Sequence, residues 1–543
     1  MKKLLPIGID NFKEIIEDGR YYVDKTLLIK DFIENGDKVA LITRPRRFGK
    51  TLNMTMLREF FDITKDSRHL FEGLAIMDTE YAKMINTKPV IFLSFKDCKE
   101  NSPDKLLYQI GEVLLGEYGR YYNVFKEKAD KDKDCYYSFF MAHEKLRNRN
   151  IDINLLRSTI KILEQAVADY FNEPPVVLID EYDQPIVNSF EFGYHDKIQT
   201  FFGGFYGAAL KGQDSLSQAM LTGIQRIVKE SIFSQLNNVS VYTVTDEAYS
   251  LYFGLTETET AELLACYELE LNGAVRDMYD GYLFGSTRMY NPWSILNYAK
   301  TRKLDNYWIN TSTNALIRTL ILESSDRFKQ DYNRLISDGS ANVSADLTSS
   351  FIEFKHEDTI WGLLVNAGYV TVESLINNYI MTVRIPNGEV RGEYIKILAD
   401  QAGVRSRDLQ MMFQYLFDKN TGGFMAVYNE LVMSCTSYFD AAENAYHMLF
   451  LGMCISLRNI YIITSNIESG YGRHDIRMES LSKSRPHIVL EFKQGEDIDG
   501  LKNTALQQIL DNKYYEGLSG EVLCLGIAHN KKRCAMAHSM ISI

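Results

Sequence analysis

VALITRPRRFGKT, residues 39–51, is the stretch on which the reading of this chain turns. Its first five residues are an unbroken apolar and β-branched run, the pattern of a short strand buried on both faces. A polar loop interrupts the run, and the following residues 51–62 place Met54, Leu57 and Phe61 at helical spacing. Strand, loop and helix in that order form a phosphate cradle, because the first helical N–H groups and the helix dipole favour an anion. Gly49 lets the backbone approach a phosphate, Lys50 can reach the β and γ phosphates, and Thr51 can place its hydroxyl on Mg²⁺. Arg46, Arg47 and Phe48 complete the candidate nucleotide-binding set. Arg44 stands where the pattern GxxxxGK[ST] has its first glycine.

A second stretch supplies what a phosphate cradle lacks on its own. PPVVLIDEYDQP, residues 174–185, is an apolar strand that ends in adjacent acids. Asp180 at the strand tip is positioned to hold the Mg²⁺ shell, and Glu181 to orient or deprotonate an attacking water. In LTGIQR, residues 221–226, Thr222 ends another strand where a polar γ-phosphate sensor would sit. Arg226 could add transition-state charge, in cis or across a subunit interface, or be a phosphate-independent surface arginine.

Working outward, the first 300 residues alternate short apolar runs with longer helical patterns, the form of an α/β domain with a mainly parallel sheet. Strands are expected at residues 39–43, 90–95, 176–180, 218–222 and 239–244, with a helix at 153–170. Residues 337–350, SDGSANVSADLTSS, read as a surface connection. They precede a compact block at 358–391, a helix followed by β-rich runs at 369–373 and 379–385, compatible with a winged-helix-like or lid unit. The resulting division is 1–285 for the P-loop domain, 286–400 for the lid region and 401–543 for a C-terminal α/β domain. In the last part, helices at 423–433 and 441–457 precede strands at 460–464, 474–478, 488–492 and 522–527.

The C-terminal block carries a different chemistry. Asp475 lies on one expected strand, and Glu491 and Lys493 on the next, with Phe492 turned to the opposite face by strand alternation. An antiparallel pairing brings Asp475 and Glu491 together with Lys493 beside them. Two carboxylates suit Mg²⁺ or Mn²⁺, which prefer oxygen ligands. A metal so held activates water and clamps an in-line phosphodiester displacement, and a lysine can orient the nucleophile. Glu443, on the preceding helix, is a further candidate acid, and Gln508 and Lys513 on the following helix are available to substrate. His447 and His474 lack metal-ligand spacing and read as packing or surface residues. The run Lys531, Lys532, Arg533 reads as solvated.

Composition bounds these readings. The chain has 543 residues with 45% hydrophobic and 24% charged, too apolar for a disordered chain. Seven cysteines are scattered without a CxxC pair, which argues against a disulfide framework or zinc ribbon and fits a reducing cytoplasm. The N-terminal segment is too short in apolar residues for a signal-peptide core, and no run suits a membrane span. A net charge of −12 opposes coating of nucleic acid by bulk electrostatics. Residues 401–543 are close to neutral, with 14 Lys and Arg against 15 Asp and Glu, so that part can approach a phosphate backbone.

The motifs YVDKT (22–26), TRPRRFGKT, VVLIDEYDQP, LTGIQR with FSQLNN, YFGLT (252–256), YDGYLFG with YNPWSIL (279–296) and IPNGEV (385–390) stand in one order. That order resembles the bacterial AAA-ATPase-like proteins fused to a C-terminal PD-(D/E)XK nuclease domain. The resemblance covers most of the chain, and an arginine-rich loop in place of the first P-loop glycine is usual in that family. It implies an ATP-binding N-terminal domain that controls a Mg-dependent nuclease acting on nucleic acid, DNA by preference, in mobile-element or defence biology. It also implies a cytoplasmic protein that can self-associate. A nucleotide-switched binding scaffold with an inactive nuclease fold is the alternative.

Overall fold

The computed structural model describes residues 2–126, 134–150, 152–212, 214–226, 238–308, 317, 319–321, 324–347, 356–377, 380–401, 406–435, 446–447, 450–451, 453–457, 460–469, 472–482, 484–531 and 533–543. By packing, the chain forms two compact units, residues 1–328 with 342–389 and residues 329–341 with 390–543. The middle segment 286–400 is therefore divided between them, most of it packing with the N-terminal residues.

The first unit is built on a five-stranded parallel sheet. Its strands are β1 (Val39–Thr43), β2 (Val90–Ser94), β3 (Val176–Asp180), β4 (Ala219–Gly223) and β5 (Val239–Tyr242), in the spatial order β2-β3-β4-β1-β5. Every residue of β1, β3 and β4 is buried, as expected of strands covered on both faces. The helices Pro103–Phe125, Ile153–Phe171 and His195–Leu210 contribute Leu106, Leu114, Leu163 and Phe202 to the same core as Val39, Ile91 and Val177. Because the strands are parallel, the ends of β1, β2, β3 and β4 open onto one edge. That edge is where open α/β sheets receive ligands.

Two smaller sheets follow, the second including a strand that spans the boundary at residues 341 and 342. β6 (Tyr282–Phe284) and β7 (Thr287–Met289) form a hairpin, while β8 (Ser340–Ser344), β9 (Thr371–Leu375) and β10 (Ile380–Arg384) form a sheet in the order β8-β10-β9. Helix Glu357–Ala367 leads into β9, so the compact block expected at 358–391 is present as a helix and two strands. The connection expected at 337–350 requires correction, since it contains β8. Ala341 and Val343 are buried on one face between polar neighbours, and such small side chains give only a weak alternating signal in the sequence.

The second unit contains β11 (Tyr461–Ser469), β12 (Gly472–Ser480), β13 (His487–Gln494), β14 (Glu521–Asn530) and β15 (Arg533–Ser542), adjacent in that order. β13 and β14 are parallel and are connected through helix Ile498–Asp511; the other neighbours are antiparallel. Helices Ser406–Phe417 and Thr421–Cys435 bring Phe413, Phe424 and Tyr428 onto the core that holds Ile476, Leu490 and Phe492. β15 was not anticipated from the sequence; it is an edge strand of small and mixed residues, half-exposed along most of its length. The basic run therefore falls at the end of the β14–β15 pair, where Asn530 faces Arg533, and Lys532 lies outside the described residues. Of the helix expected at 441–457, residues 441–445, 448, 449 and 452 also lie outside them, and Cys454–Leu457 is a 3₁₀ turn.

Candidate functional site

At the tip of β1, Gly49 adopts a left-handed conformation and starts helix Lys50–Phe61. Lys50 is 5% exposed, and its Nζ donates to the carbonyls of Arg44 at 3.0 Å and Pro45 at 2.9 Å. Burial holds its pKa below the ordinary lysine value, opposed by the nearby carboxylates of Glu181, Asp183 and Asp180. The loop's own carbonyls thus satisfy a buried cation that a phosphate oxygen could take over. Arg44 turns inward instead. Its guanidinium donates to the carbonyls of Thr43 at 2.8 Å, Tyr242 at 3.1 Å and Thr243 at 2.7 Å, and lies over Phe284 and Phe253. Complete burial lowers its pKa to about 9. Arg44 fastens β1 to the segment after β5.

Asp180 ends β3 with no exposure to solvent. Its Oδ2 accepts from Thr51 Oγ1 at 2.8 Å and its Oδ1 from Thr222 Oγ1 at 2.7 Å. The strand order brings two sequence-distant hydroxyls to one carboxylate, since β4 lies between β1 and β3. Burial raises the Asp180 pKa, with Glu181 adding to the effect and the two hydroxyls opposing it. Hydroxyl and carboxylate oxygens so arranged are the hard-donor set a Mg²⁺ ion takes.

A cavity of about 380 Å³ opens beside them. Arg46, Arg47, Gly49, Lys50, Thr51, Lys96, Lys99 and Glu181 form its polar wall, with Gln184 beside them. Pro6, Ile9, Leu52, Pro292, Trp293 and Leu296 supply apolar surface. Five cations against Asp10 and Glu181 suit a polyphosphate, and the apolar surface suits a flat, poorly charged group. Arg47 also lies over the Trp293 ring at 4.2 Å, and the Arg46 carbonyl accepts from Asn291 Nδ2 and Trp308 Nε1.

In the second unit the β12–β13 ladder includes the pair Ile476 and Leu490, and beyond it side chains take over the pairing. Glu491 Oε2 accepts from the Asp475 N–H at 3.3 Å, and Asp475 Oδ2 accepts from the Phe492 N–H at 2.8 Å. Glu491 Oε1 accepts from Lys493 Nζ at 3.3 Å and from Gln508 Nε2 at 2.5 Å. Gln508 belongs to helix Ile498–Asp511, whose backbone passes so close to β14 that a Cβ on Gly526 would meet Leu506 N at 2.3 Å. Burial, reinforced by Asp475, raises the Glu491 pKa to about 7, with Lys493 opposing. Paired carboxylates that resist ionising together are stabilised by a divalent cation, so this donor set fits a metal.

Comparison with known proteins finds a family match over each of the two regions. Residues 6–233 match the family described as "Predicted AAA-ATPase", and residues 441–539 match the PD-(D/E)XK nuclease superfamily. The chain joins an AAA-ATPase-like domain to a PD-(D/E)XK nuclease superfamily domain. It is also similar to "Uncharacterized protein in vnfD 5'region" of Azotobacter chroococcum mcd 1, with 32% identity over 329 residues, 59% of this chain. The chain spans 57% of that relative's length. Domains of these two kinds generally use nucleotide and a divalent metal.

Within the ATPase-like domain, Arg46, Arg47, Gly49, Lys50, Thr51 and Glu181 face one cavity, and Thr222 reaches it through Asp180. Phe48 turns its ring into aromatic packing with Tyr282 and Phe284. Arg226 is half-buried and does not line the cavity. Within the nuclease domain, Asp475, Glu491 and Lys493 converge, while Glu443 lies outside the described residues. Among the described residues no group of three or more His, Cys, Asp and Glu side chains could hold a metal. His447 and His474 are buried and bonded to Ser465 and Thr464, consistent with packing roles.

Sequence reasoning missed Pro6, Ile9, Lys96, Lys99 and Trp293 as cavity residues. Their only local signals are two lysines just after β2 and the tryptophan in YNPW, and neither reports proximity to residue 50. Among the described residues no helix is long and apolar enough to cross a membrane.

Proposed function

We propose that this chain is a cytoplasmic ATPase whose nucleotide state controls a Mg-dependent nuclease acting on DNA, in mobile-element or defence biology. Lys50, Thr51, Arg46 and Arg47 bind the triphosphate of ATP, with the Phe48 backbone part of the loop. Lys50 moves from the Arg44 and Pro45 carbonyls to phosphate oxygens, an exchange of acceptors that never strands the buried ammonium. Asp180 and Thr51 hold Mg²⁺, Glu181 orients or deprotonates the attacking water, and Thr222 reports the γ phosphate to Asp180. Arg226 supplies charge to the transferring phosphoryl group, and self-association can bring it to a neighbouring site.

In the second domain Asp475 and Glu491 hold the metal, with Glu443 as an additional acid. Bound there, Mg²⁺ or Mn²⁺ supplies an activated water and neutralises phosphodiester charge. Lys493, fixed by Glu491, orients the nucleophile and offsets charge on the reacting phosphate. Three functional modules, 1–285, 286–400 and 401–543, then serve as motor, lid and nuclease.

The observation that carries this reading is the presence in one chain of a Lys50–Thr51–Asp180–Thr222 cluster beside a cationic cavity and an Asp475–Glu491–Lys493 cluster. Cleavage of labelled single- and double-stranded DNA and RNA, with and without Mg²⁺, Mn²⁺ and ATP, tests it beside Lys50→Ala and Glu491→Gln. Metal-dependent cutting lost in Glu491→Gln and altered by ATP only when Lys50 is present is the expected result. Tight ATP binding with no cutting of any substrate would replace it with a nucleotide-switched binding protein.

A further inference from the structure

Asp183 is the third acid of DEYD, and the reading of the ATPase site leaves it without a role. It occupies the N-cap position of helix Gln184–Glu191, where an Asp side chain ordinarily caps its own helix. Here it makes no such cap. Its Oδ2 instead accepts the N–H groups of Ile224 at 2.9 Å and Gln225 at 2.8 Å, in the segment that follows β4. The carboxylate is 3% exposed, so both donors are held away from water.

The surrounding contacts bind the two turns into one body. The Tyr182 N–H donates to the Thr222 carbonyl at 3.0 Å, and the Tyr182 hydroxyl donates to the Gln225 carbonyl at 2.6 Å. Only glycine fits at position 223, because a Cβ there would lie 2.6 Å from Asp183 Oδ1 and 2.7 Å from the Tyr182 ring. Through Thr222 this body is bonded to Asp180 Oδ1. On its other side the Gln225 side-chain carbonyl accepts from Asn366 Nδ2 at 3.1 Å, and Asn366 belongs to helix Glu357–Ala367. Gln225 and Asn366 are both buried.

We propose that Asp183 is a positioning residue that locks the Gly223–Gln225 turn to the acid strand, so that occupancy of the phosphate site is carried through Gln225 and Asn366 to helix Glu357–Ala367. The route is a set of hydrogen bonds between buried groups, in which displacing one partner strands the next. Asp183 touches neither phosphate nor metal in this account. The relay rests on the nucleotide reading given above, whereas the lock itself does not.

Hydrogen exchange of the full-length protein tests both parts, read on peptides covering residues 219–226 and 357–367 with and without Mg²⁺ and a non-hydrolysable ATP analogue. Removing the shared acceptor in Asp183→Ala is expected to speed exchange of the Ile224 and Gln225 amides about tenfold. The analogue is expected to slow exchange at 357–367 in the wild type and to lose that effect in Asp183→Ala and in Asn366→Ala. Asn366→Ala should keep wild-type exchange at 219–226 and wild-type thermal stabilisation by the analogue. Asp183→Asn, whose amide oxygen can accept both N–H groups, should restore the response, and Asp183→Leu, which fills the space without an acceptor, replaces Asp183→Ala should that variant not fold.

Unchanged exchange at Ile224 and Gln225 in Asp183→Ala overturns the lock. An analogue that stabilises the wild type without altering 357–367, or a response that survives in Asn366→Ala, overturns the relay. An analogue that fails to stabilise the wild type sinks the nucleotide reading and the relay with it, while faster exchange in Asp183→Ala would still support the lock.

Discussion

Thr51 and Asp180, 129 residues apart in the chain, share a hydroxyl–carboxylate hydrogen bond of 2.8 Å at the sheet edge where β1 and β3 end. That bond closes the proposed phosphate site, because it joins the start of helix Lys50–Phe61 to the acid strand. Substituting either side of the site should therefore remove nucleotide binding without unfolding the sheet. At ATP concentrations of about a hundred times the dissociation constant, binding stabilises a folded protein by about 2.7 kcal/mol. Lys50→Ala and Thr51→Ala are expected to lose most of the corresponding rise in melting temperature, read by thermal denaturation with and without Mg·ATP.

Restoring a glycine at the first P-loop position should not improve the site. Arg44 donates to four backbone carbonyls, those of Thr43, Tyr242, Thr243 and Ala248, and packs on two aromatic rings, so Arg44→Gly leaves buried acceptors without partners. A loss of about 2–4 kcal/mol in unfolding free energy is expected. Urea denaturation measures it, and an Arg44→Gly protein as stable as the wild type would show that the guanidinium does not hold β1 in place.

Trp308 anchors the loop that precedes Lys50. Its indole N–H donates to the Arg46 carbonyl, and its backbone N–H donates to Glu389, a buried carboxylate that also accepts from Ser294 Oγ. Trp308→Phe removes one neutral hydrogen bond from the loop and should weaken ATP binding by about fivefold, the equivalent of about 1 kcal/mol. Titration followed by the fluorescence of Trp293, which lines the cavity, reads the change.

The carboxylate site predicts a pH dependence whose sign follows from Glu491. Its folded pKa of about 7 lies above the ordinary glutamate value of 4.5, chiefly through burial and then through Asp475. A group raised in this way stabilises the metal-free protein most below pH 4.5 and loses that contribution as pH rises through about 7. Metal binding runs the other way, since it requires the carboxylate, and apparent Mn²⁺ affinity should climb by up to about tenfold per pH unit up to that pKa. Glu491→Gln should flatten the Glu491-dependent part of both profiles, followed by metal titration and by thermal melts between pH 5 and 8.

How much of this was legible beforehand depended on whether the deciding contacts were local. The buried strands Val39–Thr43 and Val176–Asp180 were readable because a short unbroken apolar run bounded by polar residues leaves a local trace. The edge strands Ser340–Ser344 and Arg533–Ser542 were not, because small or mixed side chains on half-exposed edges leave little trace. The inward turn of Arg44 was equally hidden, since its partners Tyr242 and Thr243 lie about two hundred residues away and sequence spacing says nothing of which core a guanidinium enters.

By itself the sequence determined the chemistry available at each strand end, namely Gly49–Lys50–Thr51, Asp180–Glu181, Thr222, Asp475 and Glu491–Lys493. These are side-chain identities at chain positions that alternation and helical spacing define locally. Only the tertiary structure decided which of them meet. Parallel packing of β1, β4 and β3 put Thr51 and Thr222 on the Asp180 carboxylate, the β12–β13 register set Asp475 against Glu491, and the Gly526 contact let Gln508 reach Glu491. Asp183 accepts from the loop after β4 and does not cap its own helix for the same reason: a hydrogen bond across the sheet edge depends on strand order, which local sequence does not encode.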